Sequence, residues 1–179
     1  MNLGKTMKDQ IEQTVQAIIG MPMWSIGRAA NLEWFLFGNE YRSVPAKKTG
    51  YKLVSDYSLH VQCAWRIRNH ERIIIASRDR NYPTGEDPYK DIEEFEWDTR
   101  GGNRLDERVS KLLEERADNP LIVLSVLADE AGGLLIAMSE GFLLEVFSDD
   151  SLLSERWRFF RPYSENEHFV VTGHGIERV

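Results

Sequence analysis

One cysteine in 179 residues, Cys63, leaves no partner for an internal disulfide, which fits a reducing compartment. Basic residues are also scarce: 22 Lys and Arg face 29 Asp and Glu, a formal charge of −7. That balance opposes attachment to nucleic acid or anionic lipid, and it steers a basic partner towards the chain. Long apolar runs are missing. The longest, 121–128, is interrupted by Ser125 and falls far short of a bilayer span. The N-terminal Met-Asn-Leu-Gly-Lys leads into a polar amphipathic segment rather than the apolar stretch of a secretory signal. A cytoplasmic protein that spans no membrane is expected. The chain has no Gly-x-Gly-x-x-Gly, no P-loop, no Gly-x-Ser-x-Gly elbow and no His-Glu-x-x-His, so the local signatures of several enzyme classes are lacking. Repeats, low-complexity tracts and Pro/Gly/Ser linkers are equally lacking, so 1–179 reads as a single domain.

What is present suits a globular core: 42% hydrophobic residues, with five Trp, six Tyr and eight Phe. Met7, Ile11, Val15 and Ile18 share one helical face ahead of Gly20 and Pro22, which predicts a helix over 6–19. A second helix is predicted before Asn119-Pro120, because Leu105, Val109, Leu112 and Leu113 have helical spacing and Asp106 and Glu107 suit a first turn. Strand signals lie at 32–37 and 58–67, where Leu59, Val61, Cys63, Trp65 and Ile67 alternate with polar neighbours. The turn at Asn69-His70 pairs the second of these with 72–77 as a hairpin. Three runs at 121–128, 134–138 and 142–147 are joined by connections too short for a parallel crossover, so they form an antiparallel meander. Two more strands are expected at 156–160 and 168–172. The predicted fold is therefore α+β, mainly an antiparallel sheet of hairpin plus three-stranded meander, with two amphipathic helices. The meander is apolar on both faces, and two helices cover only one of them. The other requires a fold-back of 156–172, the long loop, or a second copy of the chain, so a homodimer is expected.

Two groups of residues are candidates for a site. On the polar face of 58–67, His60, Gln62 and Arg66 recur at every second or fourth residue and would line a ligand pocket, unless they form only a solvated strand face. Within the polar loop 79–102, the carboxylates Glu86, Asp87, Asp91, Glu93 and Glu94, followed by Glu96, are interleaved with Tyr89, Phe95 and Trp97. Acidic runs are commonly just solvated, but aromatics among charges are the make-up of a protein-binding hot spot. Cys63 shares its face with apolar neighbours and reads as structural, not nucleophilic. His60 and Cys63 fall on opposite strand faces, His168 and His174 have no thiol or carboxylate motif beside them, and the acidic loop lacks the alternating ligands and central Gly of a calcium loop. No metal or cofactor is implied.

The stretch Leu59-His60-Val61-Gln62-Cys63-Ala64-Trp65-Arg66-Ile67, with Ala76-Ser77-Arg78-Asp79 and the later Leu144-Glu145-Val146-Phe147 and Trp157-Arg158, resembles small bacterial proteins that carry an LHVQCxWR-like segment. Those proteins often have proline where this chain has Ala64. The resemblance implies a bacterial cytosolic protein and no particular reaction. Acidity, small size and absent catalytic motifs together predict a non-catalytic binding protein, of the immunity type that neutralises a toxin or nuclease. The rival is a small enzyme or ligand-binding protein built on His60, Gln62 and Arg66.

Overall fold

In the computed structural model, which describes residues 4–38, 42–46, 50–87, 89 and 92–179, the first helix begins where Thr6 can cap it. Thr6 accepts a hydrogen bond from the Asp9 N–H while the Asp9 carboxylate accepts from the Thr6 N–H, closing a capping box on α1 (Met7–Val15). Ile11, Val15 and, in the 3₁₀ turn that follows, Ile18 are fully buried, and Gly20 at φ +85° ends the element. Helix α2 (Arg104–Glu115) starts at Asn103, whose side chain accepts from the Asp106 N–H at 2.9 Å, and it buries Leu105, Val109 and Leu112. Both helices stand where their apolar spacing places them.

The strands are β1 (Pro22–Ala29), β2 (Leu32–Phe37), β3 (Arg42–Ala46), β4 (Gly50–Val54), β5 (Tyr57–Val61), β6 (Ala64–Arg68), β7 (Ile73–Ala76), β8 (Leu121–Ala128), β9 (Leu134–Met138), β10 (Leu143–Phe147), β11 (Glu155–Phe160), β12 (Phe169–Thr172) and β13 (Gly175–Arg178). Eleven join in the order β13-β12-β11-β5-β2-β1-β8-β9-β10-β6-β7, and β3 pairs with β4 in a separate hairpin. Every pairing is antiparallel. The α+β class therefore holds, but the sheet is far larger than a hairpin plus a meander. The β8–β10 meander and the β6–β7 hairpin are both present as parts of it. Strands β1 and β13 have no clean apolar alternation: β1 contains Ser25, Gly27 and Arg28, and β13 contains Gly175, Glu177 and Arg178.

The expected continuous strand 58–67 is two strands. Its alternation runs unbroken through the bend, since Leu59, Val61, Cys63, Trp65 and Ile67 are all buried, yet the chain changes sheet position at Gln62-Cys63. Five strands separate β5 from β6 in the sheet order. In a flat sheet six strand spacings would put them about 29 Å apart, whereas the step from Val61 to Ala64 reaches at most about 11 Å. The sheet therefore curls until its two arms face one another. Only two residue pairs join the arms at β1 and β8, Pro22 with Ile122 and Met23 with Leu121, which makes this the corner of the curl. Across the interior, Phe35 of β2 meets Trp65 of β6 edge to face at 4.9 Å between ring centres. Trp157 of β11, fully buried, donates its indole N–H to the Gly132 carbonyl in the β8–β9 turn at 2.8 Å. Helix α1 packs on β8, while α2 packs on β1 and β7.

This curl decides which faces are covered. The inner faces of the two arms bury each other, so β11 and β12 form the far wall of the core. The outer face of β8–β10 stays bare, with Leu124, Leu127 and Phe147 exposed. The β1–β2 hairpin turns at Ala30-Asn31, with Ala30 at φ +51°, a left-handed conformation that a non-glycine residue adopts at a cost of roughly 1 kcal/mol. No helix among the described residues is long and apolar enough to cross a membrane.

Candidate functional site

The acidic aromatic loop is fastened at its C-terminal end. Arg28, on β1, has a side chain only 8% exposed. Its Nε donates to Asp106 Oδ1 and its Nη1 to Asp98 Oδ1, each at 2.8 Å, and Nη2 donates to Asp106 Oδ2 at 3.0 Å. Asp106 Oδ2 also accepts the Gly101 N–H at 2.8 Å, and Asn103 Nδ2 donates to the Trp97 carbonyl at 2.8 Å. One guanidinium thus ties the end of β1, the start of α2 and the end of the loop. Burial alone would push the Asp106 carboxyl up, but the hydrogen bonds from Arg28 and Gly101 and the nearby positive charges outweigh it and hold the group below the usual carboxylate range.

Beyond this clamp the loop presents its aromatics. Trp97 is 39% and Tyr89 70% exposed, Ile92 is exposed, and Phe95 is half-buried. Tyr89 leans edge-on against Tyr82 at 6.1 Å. Glu86, Asp87, Glu93 and Glu96 are all exposed around them. Asp91 lies outside the described residues, as does the side chain of Glu94, whose backbone ends the 3₁₀ turn Ile92–Glu94.

His60, Gln62 and Arg66 do not share a site. His60 sits on the outer face of β5, Gln62 is exposed in the bend, and Arg66 belongs to β6 on the other arm. There Arg66 pairs with Glu145 of β10, and Arg68 reaches the same carboxylate at 3.0 Å. Burial would raise the Glu145 carboxyl, but the two arginines outweigh it and lower it. What surrounds His60 instead is aromatic. Trp34 of β2 lies at 6.4 Å between ring centres and Phe160 of β11 at 4.8 Å, edge-on. Together with Ser58 these residues line a cavity of about 320 Å³.

Burial pushes the Cys63 thiol up to about 12, with Asp149 adding to the effect, so the thiolate required of a nucleophile is suppressed. A thiol reagent should therefore label Cys63 slowly in the folded protein and rapidly in denaturant; equal rates would show that the site is open. Among the described residues no group of three His, Cys, Asp or Glu side chains is placed to hold a metal ion.

Several residues here had no local sign in the sequence. Glu33 faces the interior from β2, its side chain almost fully buried, and pairs with Arg80 Nη1 at 2.9 Å. Burial raises its carboxyl pKa against the pull of Arg80 and of the Trp65 indole, yet neither Trp65 Nε1 nor Glu33 Oε2 completes a hydrogen bond of good geometry. Arg28 stands 70 and 78 positions from its two acidic partners, beyond any motif spacing. Ser58 could have been grouped with His60, since the two are separated by one residue on a strand; Trp34 and Phe160 could not. No known protein family, curated protein or solved structure shows a match to this chain.

Proposed function

We propose that this protein is a non-catalytic binding module that captures a basic protein partner on the loop 86–97, in the manner of an immunity protein that neutralises a toxin or nuclease. The observation that carries this reading is the pairing of exposed Trp97, Tyr89 and Ile92 with exposed carboxylates on a loop whose end is fastened by Arg28. Negative potential speeds the encounter, and a fastened loop loses less entropy on docking. Exposed aromatics supply the apolar anchors that charge alone lacks. The high thiol pKa of Cys63 and the separation of His60 from Arg66 weigh against the enzymatic rival. The test is capture from the native cell extract on immobilised wild-type protein beside a Trp97→Ala column, followed by titration of the recovered partner. A basic protein held by the first and lost from the second is expected; equal recovery on both columns overturns the reading.

We also propose that a second copy of the chain covers the outer face of β8–β10. Leu127 lies opposite Leu135 there, and Leu124 and Phe147 are exposed on the same arm. Light scattering should give twice the chain mass, and Leu127→Glu should return it to the single-chain value. A single-chain mass for the wild type at about 100 μM, which would leave any self-association weaker than about −5.5 kcal/mol, counts against the dimer.

A further inference from the structure

We infer that the cavity beside His60 binds a small, uncharged, planar heteroaromatic molecule of one or two rings. Its floor is built from three neighbouring strands in register. Trp34 of β2 stands opposite His60 of β5, and Leu36 stands opposite Ser58, which in turn faces Phe160 of β11. Val54, from the β3–β4 hairpin, and Pro162 complete the walls. The volume, about 320 Å³, lies at the small end of the range for ligand sites. That excludes a nucleotide with its phosphates and admits a ring system.

Two features select the ligand's chemistry. The first is the walls. The Trp34 indole lies over Gly27, where a Cβ would come within 2.5 Å of Trp34 Cζ2, so glycine at this position is what lets the ring settle on the neighbouring strand. Phe160 is braced from behind by His168, stacked at 4.1 Å and 17°. Held rings of this kind favour a flat, apolar guest over a flexible one, because offset stacking and edge contacts add to simple burial. The second is Ser58. It is 1% exposed, and no described residue gives its hydroxyl a hydrogen-bond partner. A buried hydroxyl in that condition is costly, and a guest removes the cost by donating a ring N–H to it or by accepting from it at a ring nitrogen. Among the described residues the lining carries no carboxylate to pair a cationic guest and neither an arginine nor a lysine to hold an anionic one, which favours an uncharged guest. The site lies on β2, β5 and β11 and is lined by no residue of 86–97, although Trp34 also borders the groove beside Asp98, and it does not depend on the reading of that loop.

The test uses the full chain with indole and benzimidazole as probes, followed by calorimetry and ligand-observed NMR, and with cyclohexanol and tetramethylammonium as controls. Both heteroaromatics should bind. Ser58→Ala should weaken them at least ten-fold while leaving the melting temperature equal or higher, because the substitution removes an unpaired hydroxyl from a buried position. Trp97→Ala should leave both affinities unchanged. The inference is overturned if neither probe binds at millimolar concentration, if Ser58→Ala binds them as well as the wild type, or if cyclohexanol or tetramethylammonium binds as tightly as indole.

Discussion

Replacing Arg28 by methionine is expected to lower stability by about 3 kcal/mol, a fall in melting temperature of roughly 10 °C for a chain of this size. The size of the effect follows from burial. Arg28 is 8% exposed and makes three hydrogen bonds of 3.0 Å or shorter to two carboxylates, so methionine leaves Asp106, itself 15% exposed, with a charge whose chief partner is gone. Arg28→Lys keeps the charge without the planar fork and should fall between the two. The loss carries a pH signature. The Asp106 carboxyl is held below its ordinary range in the folded state, so its contribution is fully present above the unfolded pKa and is lost as the pH falls through the folded one. The gap between wild type and Arg28→Met should therefore be complete above about pH 5 and narrow as the pH falls below the ordinary carboxylate range. Thermal denaturation across that range checks both claims; a melting temperature within 2 °C of wild type at neutral pH, where roughly 10 °C is expected, would show that the clamp is dispensable.

Trp97→Ala should behave in the opposite way, with little change in melting temperature and a loss of partner affinity of about 2 kcal/mol or more, about thirty-fold in Kd. Trp97 keeps 39% of its surface exposed, and it is its backbone carbonyl, not its ring, that Asn103 holds. Removing the ring therefore spares the loop's anchorage. The two substitutions separate anchorage from contact: Arg28→Met weakens capture by loosening the loop along with the fold, whereas Trp97→Ala weakens capture alone. Salt dependence should persist in both variants, because the exposed carboxylates that steer the encounter remain in each and their effect is screened at high ionic strength. A large fall in melting temperature for Trp97→Ala would place the indole in the core and end the case for this surface.

Much of the architecture follows from local patterning. The spacing of Ile11, Val15 and Ile18, and of Leu105, Val109 and Leu112, fixes two helices because a 3.6-residue period puts those side chains on one face. Short connections force β8, β9 and β10 to run antiparallel, and the two-residue alternation from Leu59 to Ile67 fixes which side chains enter the core. The burial of Cys63 belongs with these, since its strand neighbours already specify an apolar face.

Tertiary structure alone decided where those strands meet. Alternation sets the inward face of a strand but carries no information on which strand lies beside it, so the period that runs unbroken through Gln62-Cys63 conceals the bend that sends β5 and β6 to opposite arms of the sheet. That bend separates His60 from Arg66, brings His60 between Trp34 and Phe160, and buries Ser58. It also leaves the outer leucines of the meander uncovered, because the curled arms bury one another's inner faces. Arg28 meets Asp98 and Asp106 for the same reason: contacts across 70 and 78 positions form only once the long-range pairings have closed. The sequence determined the two helices and the faces of the strands with clear alternation, through rules of a few residues' reach, but not β1, β3, β4 or β13; the sites arise from the curl, which depends on all the strands together.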